Sequence, residues 1–164
     1  MNHKSPLLGN AVSDIINRHQ LNADNLSRKR HKGSQKANMK RELELAVTVL
    51  LVDLASSDQN FDQVEYHVIA AGLKRLFGTG TTEMSGLVNQ AQTILKNLRG
   101  VGKYAEVLKT NLSLDQRKVV LEVIDDVIHA DGVVDGFETY LRHKFADLIG
   151  VPLEPHQDPH EKNE

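Results

Sequence analysis

The sequence contains no cysteine and no tryptophan, and aromatic residues make up only 4% of its 164 residues. The absence of cysteine excludes disulfides and thiolate metal sites. A core with so few aromatics must be aliphatic, which suits packed helices built from Leu, Val, Ile and Ala. The amino terminus leads into no apolar stretch of the kind found in secretory signals, and the longest apolar run, residues 46–52, is too short to cross a bilayer. We therefore expect a cytoplasmic protein without a transmembrane segment.

Apolar residues recur at helical spacing along most of the chain, and no run alternates as a β-strand would. The pattern predicts an all-α bundle of six or seven helices. Ser113 and Gln116 form a capping-box pattern before one helix, and Gly78 and Gly150 follow two others. The predicted helices cover residues 6–19, 39–57, 62–77, a segment around 87–98, a short segment around 104–108, 114–130 and 135–149.

We expect three parts along the chain. Residues 1–37 hold an amino-terminal helix, predicted to dock on the body, and a basic linker. Residues 38–151 form the helical domain, and residues 152–164 form a mobile polar tail.

The formal net charge of −2 conceals a strong segregation of charge. Residues 28–41 contain seven cationic side chains and no acid, which leaves residues 42–164 acidic. Such a run is usually a solvated segment, but it could also bind nucleic acid, acidic phospholipid or the acidic body. No aromatic residue is interleaved for base stacking, so nucleic acid is not favoured. The candidate polyanion-binding residues are Arg28, Lys29, Arg30 and Lys32.

A short acidic phrase occurs twice, as Asp, three residues, Asp, two residues, Glu. The first copy is Asp58, Asp62 and Glu65, and the second copy, 73 positions later, is Asp131, Asp135 and Glu138. The same offset relates Asp53 to Asp126 upstream of each copy. Repeats of this kind usually mark one supersecondary unit used twice. If the copies face each other, six carboxylates meet, with Asp53 and Asp126 supporting them from the preceding helices.

Two interpretations of this phrase remain open. An acid at a helix start with Glu three residues later is a variant of the capping box, and acids there also complement the helix dipole. In that case the protein is a plain helical interaction module without metal. Capping does not explain the loop acids, however, and clustered carboxylates favour a hard divalent cation, calcium or magnesium, which takes oxygen ligands. The spacing does not match an EF-hand, and zinc is disfavoured by an all-oxygen ligand set.

The second copy, Ala130-Asp131-Gly132-Val133-Val134-Asp135 with Glu138, resembles the ADGxxDxxE signature of the tellurite-resistance TerB-like family. The segments 50–55, 76–78 and 146–151 are also similar to that family, so the resemblance spans roughly residues 40–151. It implies a compact all-helical domain of two related halves with an acidic surface proposed to hold metal. It further implies a bacterial stress-resistance role without established enzymatic activity. The implied partners are membrane-associated proteins of the same resistance system, with localisation in the cytoplasm or peripherally at the inner face of the membrane.

Other chemistry finds little support in the sequence. Eight histidines are present, and His129 and His143 flank the second acidic copy, but histidines on a polar stripe are more often surface residues. No local signature indicates a catalytic triad, and the segment 78–81 lacks the spacing and the lysine of a phosphate-binding loop. We therefore expect no catalytic residues.

Overall fold

A computed structural model describes residues 6–21, 32–56, 63–97, 100–130 and 135–153 of the chain. Within these ranges the protein is all-helical, with seven helices and no strand, which confirms the predicted fold class. The carboxyl-terminal tail and most of the predicted linker lie outside the described residues. The helices are α1 (Ala11–Leu21), α2 (Lys32–Ala55), α3 (Gln63–Phe77), α4 (Thr81–Asn97), α5 (Gly102–Asn111), α6 (Leu114–Ala130) and α7 (Asp135–Ile149).

Helix α2 is the centre of the bundle, because it contacts α1, α3, α4, α5 and α6. From residue 43 to residue 55 nearly every side chain of this helix is buried, including Val47, Leu50 and Leu51. A helix that is apolar all round must be enclosed by other elements. Helix α6, by contrast, buries one face and keeps a polar stripe exposed. The apolar pattern of the sequence predicts a buried helix over residues 39–57 and a polar stripe at Lys118, Glu122, Asp125 and His129 on the helix that ends at residue 130. The buried helix is confirmed, but two residues of the narrow polar stripe predicted for it, Glu44 and Thr48, are buried as well.

Helix α2 begins at Lys32, seven residues before its predicted start at residue 39. The last part of the segment assigned to the basic linker is therefore helical and continuous with the helix that organises the core. The predicted domain boundary at residues 37–38 falls inside this helix and stays a prediction. Residues 32–38 are polar and show no apolar periodicity, so nothing in the sequence indicated that the helix extends through them.

The predicted helix ends are confirmed where local chemistry defines them. Ser113 Oγ accepts a hydrogen bond from Gln116 N (3.2 Å), and Gln116 Oε1 accepts one from Ser113 N (2.8 Å), which completes the capping box of α6. Helices α3 and α7 both end before a glycine with positive φ, Gly78 (72°) and Gly150 (70°). Only glycine adopts this conformation without steric cost, so both stops are encoded locally.

The amino-terminal segment docks on the end of α3, as predicted. Leu7 N and Leu8 N donate hydrogen bonds to Arg75 O (2.9 Å) and Leu76 O (2.7 Å), carbonyl groups that have no partner within their own helix. A turn at residues 7–10 then leads into α1, which starts later than the predicted residue 6. Four apolar side chains predicted to share one face are buried: Leu8, Val12, Ile15 and Ile16.

Two helical hairpins, α2–α3 and α6–α7, are each closed by a polar contact between the first helix and the end of the second. Glu44 lies near the middle of α2, and its carboxylate accepts a hydrogen bond from Oγ1 of Thr79, which follows α3; both residues are only 3% exposed. Arg117 lies near the start of α6, and its Nη1 donates to Ile149 O (3.1 Å) and to Gly150 O at the end of α7. The end of α3 therefore lies beside the middle of α2 and the end of α7 beside the start of α6, so the two helices of each hairpin are antiparallel.

The two hairpins meet where α3 crosses α6. At Gly72 the backbone of α3 approaches Val123 so closely that an added Cβ would overlap the Val123 side chain. This glycine is needed for space, since the helix itself has ordinary geometry there.

Candidate functional site

The two acidic phrases occupy matching places in the fold. The first spans the connection from α2 to α3, and the second spans the connection from α6 to α7. Asp58, Asp62 and Asp131 lie outside the described residues. Glu65 is in the first turn of α3, and Asp135 and Glu138 are in the first turn or so of α7, but their side chains lie outside the described part as well. Their roles as metal ligands stay predictions.

Asp53 lies near the end of α2, one turn before the first phrase, and it is partly buried as predicted. Burial raises the pKa of its carboxyl group, and the positive charge of Lys144 on α7 partly opposes this rise. Asp53 lines a cleft of about 470 Å³ together with Ser56, Gln92 and Lys96. Asp53 is not in any of the three ion pairs found among the described residues. A cation nearby would therefore favour its ionised form.

Asp126, the counterpart of Asp53 in the repeat, has a different environment. Its side chain is 58% exposed, and its Oδ2 lies 3.5 Å from Nη1 of Arg75 on α3. The other terminal nitrogen of Arg75 lies 3.3 Å from Oε2 of Glu122. Asp126 therefore already has a cationic partner, and its supporting role at a metal site stays a prediction.

The partly buried acid of α6 is the neighbouring residue, Asp125. Its side chain is 21% exposed, and its Oδ2 lies 3.2 Å from Nε of Arg142 on α7. Burial raises the pKa of Asp125, while Arg142 and then His129 lower it. Its Oδ1 is buried and accepts no hydrogen bond from the described residues. In burial Asp53 thus corresponds to Asp125, at an offset of 72, whereas the sequence repeat pairs it with Asp126.

Sequence reasoning missed the two arginines that neutralise the acids of α6. It identified Glu122 and Asp125 on the polar stripe of this helix but named no counter-charge for them. Arg75 and Arg142 supply that charge from the helices on either side, α3 and α7. Their positions could have indicated these partners, because each arginine lies on a helix, α3 or α7, that packs directly against α6.

The histidines near the second phrase are exposed, as predicted for surface residues. His129 Nδ1 lies 2.7 Å from Asp125 O in a contact along its own helix, and His143 is exposed on α7. In the part of the chain that the structure describes, no three His, Asp or Glu side chains are grouped closely enough to hold a metal ion.

The candidate polyanion-binding segment is largely outside the described ranges. Arg28, Lys29 and Arg30 belong to the residues that are not described, and Lys32 is the first residue of α2, with its side chain not described. Further along the same helix, Arg41 is exposed and donates a hydrogen bond to Gln90 Oε1 of α4 (3.3 Å). Binding of a polyanion by this segment stays a prediction.

None of the described helices has the length and apolar character needed to span a membrane. No curated protein matches the chain, and no solved structure matches it. The model of one protein family, tellurite resistance protein TerB, matches residues 44–157, which is more than half of the sequence. The match starts near the middle of α2 and includes the rest of that helix, α3 to α7 and both acidic phrases. The chain therefore belongs to the TerB tellurite-resistance family.

Proposed function

We propose that this protein is a non-enzymatic member of a bacterial tellurite-resistance stress response whose helical domain binds a divalent cation, calcium or magnesium, and acts as a scaffold. The observation that carries the proposal is the placement of the acidic repeat. Each copy occupies the connection inside one of two antiparallel hairpins, and in each hairpin a polar contact joins the first helix to the end of the second. The proposed ligands are Asp58, Asp62, Glu65, Asp131, Asp135 and Glu138.

The charges of the described residues support a cation at these phrases. Arg75 uses both terminal nitrogens on Glu122 and Asp126, and Arg142 holds Asp125. These two arginines therefore offset part of the charge of the three acids of α6 that precede the second phrase. Acids brought together by the two phrases would need a neutralising charge of their own, because clustered carboxylates repel one another. Asp53, desolvated one turn before the first phrase, would gain from the same charge.

Hard divalent cations suit this ligand set. Calcium takes six to eight oxygen ligands from carboxylates, carbonyl groups and water, and magnesium takes six. Three carboxylates from each phrase, completed by backbone carbonyls and water, would meet either requirement. No catalytic step is assigned to the ion in this proposal.

The test is the thermal stability of the protein with and without metal. Calcium or magnesium at a hundredfold excess over Kd should stabilise the folded state by about 2.7 kcal/mol, which scanning calorimetry detects as a higher Tm. Asp131→Lys should remove this response. Glu42→Gln, which neutralises an exposed acid elsewhere on α2, is the matched control and should keep it.

The capping interpretation predicts a different result in the same experiment. If the acids only cap helices, Asp131→Lys changes Tm slightly and equally with chelator or metal, and the unmodified protein shows no metal response. A wild-type Tm that does not move at millimolar calcium, magnesium or manganese would contradict the cation proposal.

The scaffolding part of the proposal concerns protein partners, including membrane-associated proteins of the resistance system. We propose a cytoplasmic location with peripheral association at the inner face of the membrane. Cell fractionation tests this. Recovery with washed membranes and release by high salt would support peripheral association, whereas recovery from the soluble fraction alone would contradict it.

A further inference from the structure

A groove separate from the acidic phrases lies between α6, α7 and the segment 151–153 that follows α7. Its volume of about 530 Å³ is in the range of small-molecule sites. Leu121, Val151 and Leu153 contribute apolar surface to it. We call it the α6–α7 groove, and its polar lining consists of Lys118, Glu122, Asp125, Thr139, Arg142 and His143.

The two carboxylates of this groove are already neutralised. Asp125 is paired with Arg142 across the groove, and Glu122 is paired with Arg75, which reaches it from α3. A cationic ligand would have to compete with an arginine for either carboxylate. The groove is therefore a poor site for a cation.

The nitrogen-bearing side chains of the groove are less committed than its carboxylates. Within the described ranges, the side chains of Lys118 and His143 take part in no ion pair or hydrogen bond. Arg142 engages Asp125 through Nε, which leaves its two terminal nitrogens without a partner in the same ranges. Three nitrogen-bearing side chains thus border one concave surface with an apolar floor. Guanidinium and ammonium groups form their strongest hydrogen bonds with carboxylate and phosphate oxygens.

We propose that the α6–α7 groove binds a small organic anion. Its carboxylate or phosphate lies against Lys118, His143 and the terminal nitrogens of Arg142, and its apolar part lies on Leu121, Val151 and Leu153. This site uses none of the proposed cation ligands, so it does not depend on the proposed function.

A series of probes that share a phenyl ring separates charge from apolar contact. Phenyl phosphate, benzyl alcohol and benzylamine, together with inorganic phosphate, are titrated into the ¹⁵N-labelled full chain in a chloride buffer from which a chelating resin has removed divalent cations. Phenyl phosphate should give saturable shifts of amides in residues 118–125, 139–143 and 151–153 at concentrations up to about 10 mM. Inorganic phosphate should bind more weakly because it lacks the ring, and benzylamine should give no saturable shift at these amides.

Variants assign the binding to named side chains. Lys118→Gln should weaken phenyl phosphate binding about tenfold, the usual effect of losing one hydrogen bond to a charged group. His143→Gln should weaken it in the same direction. Lys74→Gln is the matched control, because Lys74 is an exposed lysine of α3 outside the groove. All three positions are exposed, so the variants should fold, and their amide spectra report this directly.

Three outcomes would overturn the proposal: no saturable shift with phenyl phosphate, binding of benzylamine at least as tight as that of phenyl phosphate, or equal losses in Lys118→Gln and Lys74→Gln. Because the buffer is free of divalent cations and the cation test uses Tm, either proposal can fail without the other.

Discussion

The hairpins α2–α3 and α6–α7 carry the same acidic phrase and the same glycine stop. The two acids that precede these phrases at equivalent positions, Asp53 and Asp126, nevertheless differ in their exposure to solvent. Helix α2 is enclosed by five other helices, so Asp53 is desolvated, and the positive charge of Lys144 only partly opposes the resulting rise in its pKa. Helix α6 lies at the periphery of the bundle, so Glu122 and Asp126 face solvent and pair with Arg75. A repeated sequence phrase therefore specifies a repeated connection, while the surrounding layers decide the electrostatics of each copy.

The largest expected effect compares the cores of the two hairpins. Leu50→Ala in α2 should destabilise the protein near the upper end of the range of about 2–5 kcal/mol for such truncations, because Leu50 is fully buried and enclosed on all sides. Leu121→Ala in α6 should fall near the lower end, since Leu121 borders the open α6–α7 groove. Urea unfolding with a constant m-value measures both. Equal losses would show that α2 is no more central than α6.

An intermediate effect is expected at the two glycine stops. Gly78→Ala and Gly150→Ala each force a side chain into a left-handed backbone conformation, at about 1–2 kcal/mol. At Gly150 the new Cβ would also lie 2.7 Å from Nη1 of Arg117 and 3.2 Å from Lys109. At Gly78 its nearest neighbour is Pro6 Cγ at 3.0 Å. The loss measured by urea unfolding should therefore be larger for Gly150→Ala, and the reverse order would contradict the assigned role of Arg117.

The smallest effect concerns Asp53 and Asp126, the two acids that the sequence repeat relates, and it should have opposite signs at the two positions. Because burial raises the folded-state pKa of Asp53, its ionisation opposes folding as pH rises through that pKa. In chelator at pH 7, Asp53→Asn should raise Tm, and the gain should disappear below the unfolded-state pKa, near pH 3. Asp126→Asn should lower Tm slightly at pH 7, since an exposed ion pair contributes about 0–1 kcal/mol. Changes of the same sign in both variants would contradict the difference between the hairpins.

Much of the fold follows from local signals in the sequence. The capping box at Ser113, the stops at Gly78 and Gly150, and the all-apolar stretch of α2 each depend on residues close together in the chain, and each is confirmed. The predicted start of α2 was wrong because residues 32–38 lack an apolar period. Such a polar segment extends a helix whose stability comes from the packing of its other residues in the core.

The candidate site was harder to predict than the fold. The sequence placed Asp53 correctly as partly buried and placed Asp125 on the polar stripe of its helix. It did not predict the ion pairs of Arg75 with Asp126 and of Arg142 with Asp125. These contacts join different helices, and no local motif specifies which helices pack against each other. The sequence repeat pairs Asp53 with Asp126, but the partly buried acid of α6 is its neighbour Asp125. An alignment of the two sequence copies does not detect this difference of one position.

The family match begins at residue 44, in the middle of α2. This start matters for the design of a fragment limited to the matched residues, 44–157. Such a fragment would lose the first half of the central helix together with the segment that hydrogen-bonds to the last turn of α3. The apolar patch beneath Leu8, Val12 and Ile15 would become solvent-exposed. A usable expression fragment therefore has to start no later than Pro6.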